Sequence, residues 1–464
     1  MSSMGHERTV AALPPSPQRR VVAPAVETTS RYGWYVLGIL TFVNLISATD
    51  RFLMGVIMVP LKTDLKLSDT SLGLLQGLAF ALLYCAAGIP LGRIADTRSR
   101  RAMLSIGCVA WTFATGACAF ATSFESLFAM RLIVGLGEAS IMPAAISLIG
   151  AYIVRNRLGT ATSIFMMGAT GGKAVAFIGG GALLSLLAAQ GGLMLLGAEF
   201  RPWQVLFLAA ALPGIPAALI LLTIREPART GRRLAAGKAM AELWAHVARH
   251  RAGVLSFVVA GTCTILNAHL FAAWAPSFFV RRYGLDVGEA AMIVGVIVVA
   301  IGPLGGIAAG VIADRLLQRG VETAPLRVMV CAFMLAIPGT LLMVTTDSLT
   351  LALVGYAMAQ IMVLAGGPQS YSGIQMLTPL RHRGIMSATY LALTTLAAMG
   401  LGPTTIGLFS DHVWTDPATG LGYSILTVLA IFSVIGLLAL IVANRTFSAA
   451  VRAAQDANAA EDGR

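Results

Sequence analysis

The sequence predicts an all-α membrane protein with twelve transmembrane helices in two six-helix halves and both termini cytoplasmic. Three observations carry that expectation. The chain has too few charged residues to cover a water-facing surface, it contains twelve apolar runs of spanning length, and its Lys and Arg fall overwhelmingly on one side of those runs.

Of 464 residues, 57% are hydrophobic and 12% charged, whereas a soluble domain carries about a quarter charged. Most of the surface must therefore face lipid. The net charge of +12 does not point to nucleic acid, because the basic residues sit in short loops between apolar runs and form no single phosphate-binding face. The five cysteines (Cys85, Cys108, Cys118, Cys263, Cys331) show no CxxC pair. They read as small buried hydrophobes, not as a disulfide framework or zinc site. Residues 1–31 are rich in Pro, Ser and Arg and lack an apolar core segment, so they read as a disordered cytoplasmic tail and not a signal peptide.

A spanning helix needs about 20 mostly apolar residues. Twelve runs qualify, at 34–58, 70–91, 102–121, 124–152, 160–187, 203–224, 253–279, 289–313, 326–345, 348–378, 385–409 and 421–443. With the N-terminal tail placed in the cytoplasm, 25 of the 33 Lys and Arg fall on that side, 5 on the other, and 3 inside spans. That bias sets the orientation.

The longest polar connection, 225–252, separates a six-helix bundle at 32–224 from a second at 253–443, with a C-terminal tail at 444–464. The linker carries seven Lys and Arg, and its part AMAELWAHVARHR is amphipathic and expected to lie along the membrane surface. His246 and His250 have i, i+4 spacing without the Glu of an HExxH motif, so no metal site is expected. The halves echo one another. Gly92 to Asp96 with Arg98, Arg100 and Arg101 parallels Gly310 to Asp314 with Arg315 and Arg319. Arg155 to Gly159 parallels Arg381 to Gly384, and the fifth and eleventh runs are both glycine-rich, as closely packed helices require. Parallel halves of six spans are one of the repeat patterns of secondary transporters.

These features resemble the major facilitator superfamily. GRIADTRSRR is similar to its G-x-x-x-D-R-x-G-R-R signature, with Thr97 in place of the usual Arg and Ser99 in place of Gly, while the second copy keeps Asp314-Arg315. The resemblance implies that Asp96 caps a neighbouring helix and that Asp96, Arg100, Arg101, Asp314 and Arg315 form a conformational latch. Within the superfamily the chain resembles the spinster branch through Asn44 and Asp50-Arg51-Phe52, Arg131 to Ala139, Arg225-Glu226-Pro227, and Gly402 to Asp411. That branch implies lysolipid-like or sphingoid-phosphate substrates and proton coupling.

Ionisable residues at membrane depth are expensive and mark function by default. Five lie well inside the runs: Asp50, Arg51, Arg131, Glu138 and Lys173, all in the first half. Arg51 and Arg131 lie about 10–12 Å from the outer end of their helices. Arg51 is the candidate for an anionic head group, because guanidinium matches carboxylate or phosphate bidentately. Glu138 is the candidate proton carrier, since a partly desolvated carboxylate can titrate near working pH. Asp50, the second proton-coupling candidate, and Arg131, a second substrate-binding candidate, would orient and partner them, and protonation of Glu138 would release an arginine. Lys173 follows two glycines but fails the phosphate-loop pattern, with Met167 and Ala174 at positions that need Gly and Ser or Thr; it is a candidate cavity residue. Asn267, Trp274 and Gln369 are the second-half substrate candidates, among further polar groups at His269, Gln360, Tyr371, Gln375 and Tyr390. The rival reading of all these charges is a static lattice joining helices.

The expectation is a non-enzymatic, alternating-access secondary transporter, proton-coupled and moving an amphipathic or organic anion. It needs no cofactor or metal, its partners are its substrate, protons and membrane lipids, and it acts as a monomer in the inner membrane of a bacterium. A small organic- or sugar-acid symporter and a multidrug efflux carrier are the alternatives. A membrane enzyme would need a nucleophile–base pair or metal cluster, and a sensor would need a signalling domain; neither is found in the sequence.

Overall fold

The computed structural model describes residues 29–154, 157–195, 197–227 and 236–462. The stretches 1–28 and 228–235, which include most of the expected tail and part of the linker, lie outside the described residues. The first half opens with α1 (Arg31–Leu65), where the Ser30 hydroxyl caps the start and Lys66 turns into left-handed backbone at φ 51°. Next come α2 (Asp69–Gln76) and α3 (Leu78–Thr97), one path bent at Gly77, and α4 (Arg100–Cys118), capped by Ser99. The fourth run is likewise split, into α5 (Phe124–Glu138) and α6 (Ile141–Tyr152). The fifth comprises α7 (Leu158–Ala174), a π turn at Val175–Gly179 and α8 (Gly180–Ala189). A two-stranded hairpin, β1 (Leu193–Leu195) and β2 (Ala198–Phe200), precedes α9 (Pro202–Ala211) and α10 (Gly214–Leu221).

The second half comprises α11 (Ala236–Arg249), α12 (Arg251–Tyr283), α13 (Val287–Gln318), α14 (Ala324–Thr345), α15 (Leu349–Met376), α16 (Arg383–His412) and α17 (Gly420–Asp462). Eleven helical stretches among the described residues are long and apolar enough to cross a membrane. The third sequence run forms α4, which starts on two arginines and carries Ser105, Thr112 and Thr115, so it is the most polar of the set. α17 continues to Asp462, through residues expected as a tail.

Hydrogen bonds define the two faces of the bundle. On the tail face the Tyr32 hydroxyl donates to the Thr223 carbonyl, Tyr152 to the Arg225 carbonyl, and the Leu380 amide to Asn458 Oδ1. On the opposite face Trp203 Nε1 donates to Asp64 at 2.6 Å and the Ser185 hydroxyl to Asp286 at 2.6 Å.

The halves meet on the opposite face. A methyl group added at Gly73 or Gly77 would run into the carbonyl of Pro403 or Met399, and one at Gly407 into the backbone of Asp69. The α2–α16 contact is therefore backbone against backbone, which only small residues permit. Around it, the Asp69 carboxylate accepts both terminal nitrogens of Arg281 at 2.6 Å, Lys62 at 2.6 Å and the Ser410 hydroxyl at 2.7 Å. Asp411 accepts the backbone amides of Asp69 and Thr70, placing a carboxylate on the N-terminus of α2 where the helix dipole favours it.

The tail face is packed differently. One large apolar core joins both halves toward the opposite face, from Phe52 and Leu53 to Phe271, Trp274 and Ala291. Nearer the tail face the core divides. Val36, Leu104, Leu148 and Phe165 belong to a cluster that is first-half apart from Met399, and Phe257, Met329, Phe447 and Val451 to one wholly in the second half. Gly88, Gly92, Gly310 and Gly384, near the tail-face ends of α3, α13 and α16, have nothing within 4 Å of an added methyl. The bundle is thus sealed on one face and parted on the other. Gly77→Leu is expected to hold the sealed face apart: spin labels on the exposed Lys66 and His412 should move several ångströms further from each other in pulsed EPR. An unchanged distance would mean that backbone contact does not close this face.

Candidate functional site

Adjacent residues on a helix point about 100° apart, so α1 directs Asp50 and Arg51 to different neighbours. α5 presents Arg131 and Glu138 two turns apart on one face. Two ion pairs result. Arg51 Nη2 lies 2.6 Å from Glu138 Oε2, and Arg131 Nη1 lies 3.5 Å from Asp50 Oδ1. Ser47, one turn before Arg51, donates to Glu138 at 2.7 Å, and Thr115 of α4 donates to Asp50 at 2.5 Å. Glu138 and Arg131 are 0% exposed, whereas the Arg51 side chain is 22% exposed. Of the four, Arg51 is the one whose side chain is partly exposed. Glu138 Oε1, Arg51 Nε, Arg131 Nε and Arg131 Nη2 are buried without hydrogen-bond partners, so the cluster keeps unused donors and an unused acceptor.

An aromatic cover completes it. A side chain at Gly135 would collide with the Phe80 carbonyl, so glycine lets α5 rest on the α3 backbone. The Arg51 guanidinium then lies over the Phe80 ring at 4.8 Å and the Tyr84 ring at 5.3 Å, and Arg131 over Phe80 at 5.8 Å. Such stacking holds a guanidinium without neutralising it.

Lys173, the last residue but one of α7, is half-buried with its ammonium 4.7 Å from the Phe52 ring centroid. Gly55 of α1 packs on the Ala272 carbonyl of α12. Arg51 and His269 therefore both sit one turn to the tail-face side of that contact, and His269, like Tyr84 and Tyr371, is half-buried. Tyr371 meets Tyr390 edge-on at 5.5 Å. The other second-half candidates are placed in packing and not on an open wall. Asn267 is buried with its amide donating to Ser433 Oγ at 3.2 Å, and Gln369 is buried. Trp274 is fully buried, donates to the Pro403 carbonyl at 3.0 Å and lies against Arg281 in the seal. The Asn267 amide nitrogen and the Trp274 indole thus bond neighbouring helices, while Asn267 Oδ1 is buried without a partner.

Of the latch positions, Arg100 and Arg101 do not bridge the halves in this conformation. Arg100 Nε lies 3.2 Å from Glu226 Oε1, the Arg101 backbone amide and the Ser99 hydroxyl donate to Glu226 Oε2, and Arg101 Nη1 reaches the Leu222 and Ile224 carbonyls. All of these partners lie in the first half, where Glu226 caps α4. Asp314 and Arg315 are exposed on the parted face, and the Asp96 side chain lies outside the described residues. Among the described residues no group of three His, Cys, Asp or Glu is arranged to hold a metal; His246 and His250 stack at 5.1 Å, with His246 Nε2 on the Leu377 carbonyl.

Sequence reasoning missed Ser47, Thr115, Phe80, Tyr84 and Asp69. A hydroxyl four residues from a deep charge, as at Ser47, was the available signal; Thr115 and the aromatics are ordinary residues of apolar runs.

Thr115→Val leaves one Asp50 oxygen without its donor, and a loss of about 1–3 kcal/mol is expected, read as a lower melting temperature in detergent that Thr115→Ser restores. Glu226 titrates below its ordinary value of 4.5: burial pushes it up, but the bonds from Arg101, Ser99 and Arg100 and the charge of Arg100 outweigh that. A lowered folded-state value adds stability above the unfolded-state value and loses it as pH falls through the folded one. The melting-temperature gap between wild type and Glu226→Gln should be widest near neutrality and close in acid. A pH-independent gap would assign Glu226 a purely steric role.

Comparison with known proteins accords with this architecture. The profile of the Major Facilitator Superfamily matches residues 40–403. The chain is 27% identical over 410 residues to an MFS-type efflux pump of Mycolicibacterium smegmatis, across 88% of this chain and 91% of that one. It is 27% identical over 351 residues to Protein spinster of Drosophila melanogaster, across 73% of this chain, which spans about half (54%) of that relative's length. A crystal structure of a bacterial homologue of the human lysosomal transporter Spinster, inward-facing and unoccupied, superposes with a TM-score of 0.75 at 25% identity, across 91% of this chain and 98% of that one. The chain belongs to the major facilitator superfamily of membrane transporters, with its likeness falling in the spinster branch.

Proposed function

We propose that this transporter is a proton-coupled, alternating-access carrier of an amphipathic or organic anion, with Arg51 as the anion's principal contact and Glu138 as the proton carrier. The observation that carries this reading is the 2.6 Å pair between a fully buried Glu138 and a partly exposed Arg51. While Glu138 is charged it occupies the arginine. Protonation removes that partner and leaves a cation beside stacked aromatic rings, an environment that suits an anion carrying an apolar body. Asp50 keeps Arg131 in place throughout, so the exchange is confined to one pair. Lys173 and His269 add basic groups at nearby levels on α7 and α12, so that the head group meets both halves.

In this reading α4 is the twelfth span, 32–224 and 253–443 are the two moving bundles, and the linker 225–252 joins them. Both termini lie in the cytoplasm of a bacterial cell, which makes the parted tail face inward-open and the protein a monomer in the inner membrane. Asp314 and Arg315, exposed here, would join Asp96 and the α4 arginines at the latch when that face closes. Drug export is a second reading, favoured by the efflux pump that is similar over most of both chains.

Proton–anion coupling through one carboxylate is reciprocal. In proteoliposomes with a panel of lysolipids and organic anions, wild-type affinity should strengthen by about tenfold per pH unit of acidification while Glu138 titrates. Glu138→Gln should bind at a pH-independent affinity and move no protons. A variant that still couples would return Glu138 to a static lattice, and preferential binding of neutral or cationic drugs would favour the efflux reading.

A further inference from the structure

Helix α11 is fastened to the second half. Leu243 and Val247 are buried in the cluster of Phe257, Phe447 and Val451. Glu242 lies 3.8 Å from Arg381 and 3.6 Å from His382, and the Leu377 carbonyl meets His246 Nε2 at 2.9 Å. So held, α11 crosses the tail-face ends of α12 and α16 and leaves a groove of about 60 Å³ between the three helices. Trp244, Leu255, Val258, Met386 and Leu393 line it, and the surface it presents is apolar. Trp244 is 57% exposed, Leu255 52% and Leu393 55%. An indole and two leucines at the end of a transmembrane bundle belong to the level where acyl chains meet head groups.

The α11–α12 corner beside the groove is basic. Val247 and Val254 line its two sides, and the corner between them carries Arg249, His250 and Arg251. Both arginines are exposed and, among the described residues, neither has a carboxylate partner. The nearby acid, Glu242, is engaged with Arg381 and His382. An exposed apolar slot beside two guanidinium groups that have no carboxylate partner among the described residues is complementary to one kind of molecule in the surroundings, a chain-bearing anion already in the bilayer.

We propose that the α11–α12 corner is a binding site for an anionic phospholipid of the surrounding membrane, with its phosphate on Arg249 and Arg251 and one acyl chain in the groove under Trp244. The site is separate from the Arg51–Glu138 centre and does not depend on what that centre carries. The lipid completes the attachment of α11, since the helix's own apolar residues cover only one wall of the groove.

The test is lipid titration of the purified, delipidated full chain by native mass spectrometry, with phosphatidylglycerol and phosphatidylcholine of identical chains. Wild type should bind phosphatidylglycerol tighter by about fivefold for each arginine. Arg249→Ala/Arg251→Ala should lose that preference while still binding both lipids weakly, and Leu393→Trp, which fills the groove, should weaken both. Melting temperatures in detergent control for folding. As a check free of groove variants, phosphatidylglycerol with brominated chains should quench Trp244 fluorescence, read as the difference between wild type and Trp244→Phe. Equal affinity for the two lipids in wild type, a preference that survives the double substitution, or an unquenched Trp244 would each overturn the proposal.

Discussion

A carboxylate shut away from water must be paired or neutral, and Glu138 meets that constraint through Arg51 at 2.6 Å. Much of the first half is arranged around this pair. α5 breaks immediately after Glu138, Ser47 supplies a further hydrogen bond, and Gly135 lets the Phe80 backbone come close enough for its ring to cover both arginines. Buried ion pairs contribute little net stability, because desolvation offsets much of their attraction, yet breaking one leaves a costly lone charge. Such a pair is a poor rivet and a good switch, provided that something can replace one partner. The two partners differ in exposure, Arg51 being partly exposed and Glu138 fully buried.

The sealed face joins the halves by a different kind of contact. Its helices touch through glycine and carbonyl with no flexible side chains between them, so a small separation removes the contact altogether. The Asp69–Arg281–Lys62–Ser410 cluster and the Asp411 cap lie in the same patch, and both join opposite halves. On the parted face each half keeps an apolar core of its own. Two bodies with private cores at one end and a shared, small-residue contact at the other are suited to rocking without internal repacking. Arg100 and Arg101, tied to Glu226 within the first half, belong to the rigidity of one body in this conformation.

The groove under α11 shows how an amphipathic linker is accommodated. Its buried residues dock on the second half, but its indole and the corner arginines remain outside the protein's own packing. The linker helix is only partly absorbed into the second half, and its Trp244 side stays exposed.

The membrane class, the runs, the repeat and the five deep charges are legible in the sequence, because lipid forbids unpaired polar backbone and makes each buried charge conspicuous. Arg51 and Glu138, both picked out as deep charges by pattern, form one ion pair. Which charge pairs with which was not legible, since Asp50, Arg51, Arg131 and Glu138 allow two pairings and helix rotation selects one. Trp274, Asn267 and Gln369 looked like cavity residues for the same reason: polarity in an apolar run marks a residue that needs a partner without saying whether the partner is substrate or neighbouring helix. Composition and periodicity by themselves determined that the chain must be a membrane bundle and where its costly charges lie. Only the tertiary structure decided their partners, the closed and open faces and the breaks after Glu138 and Ala174, because these depend on how helices rotate and approach, and a one-dimensional hydropathy pattern does not encode that.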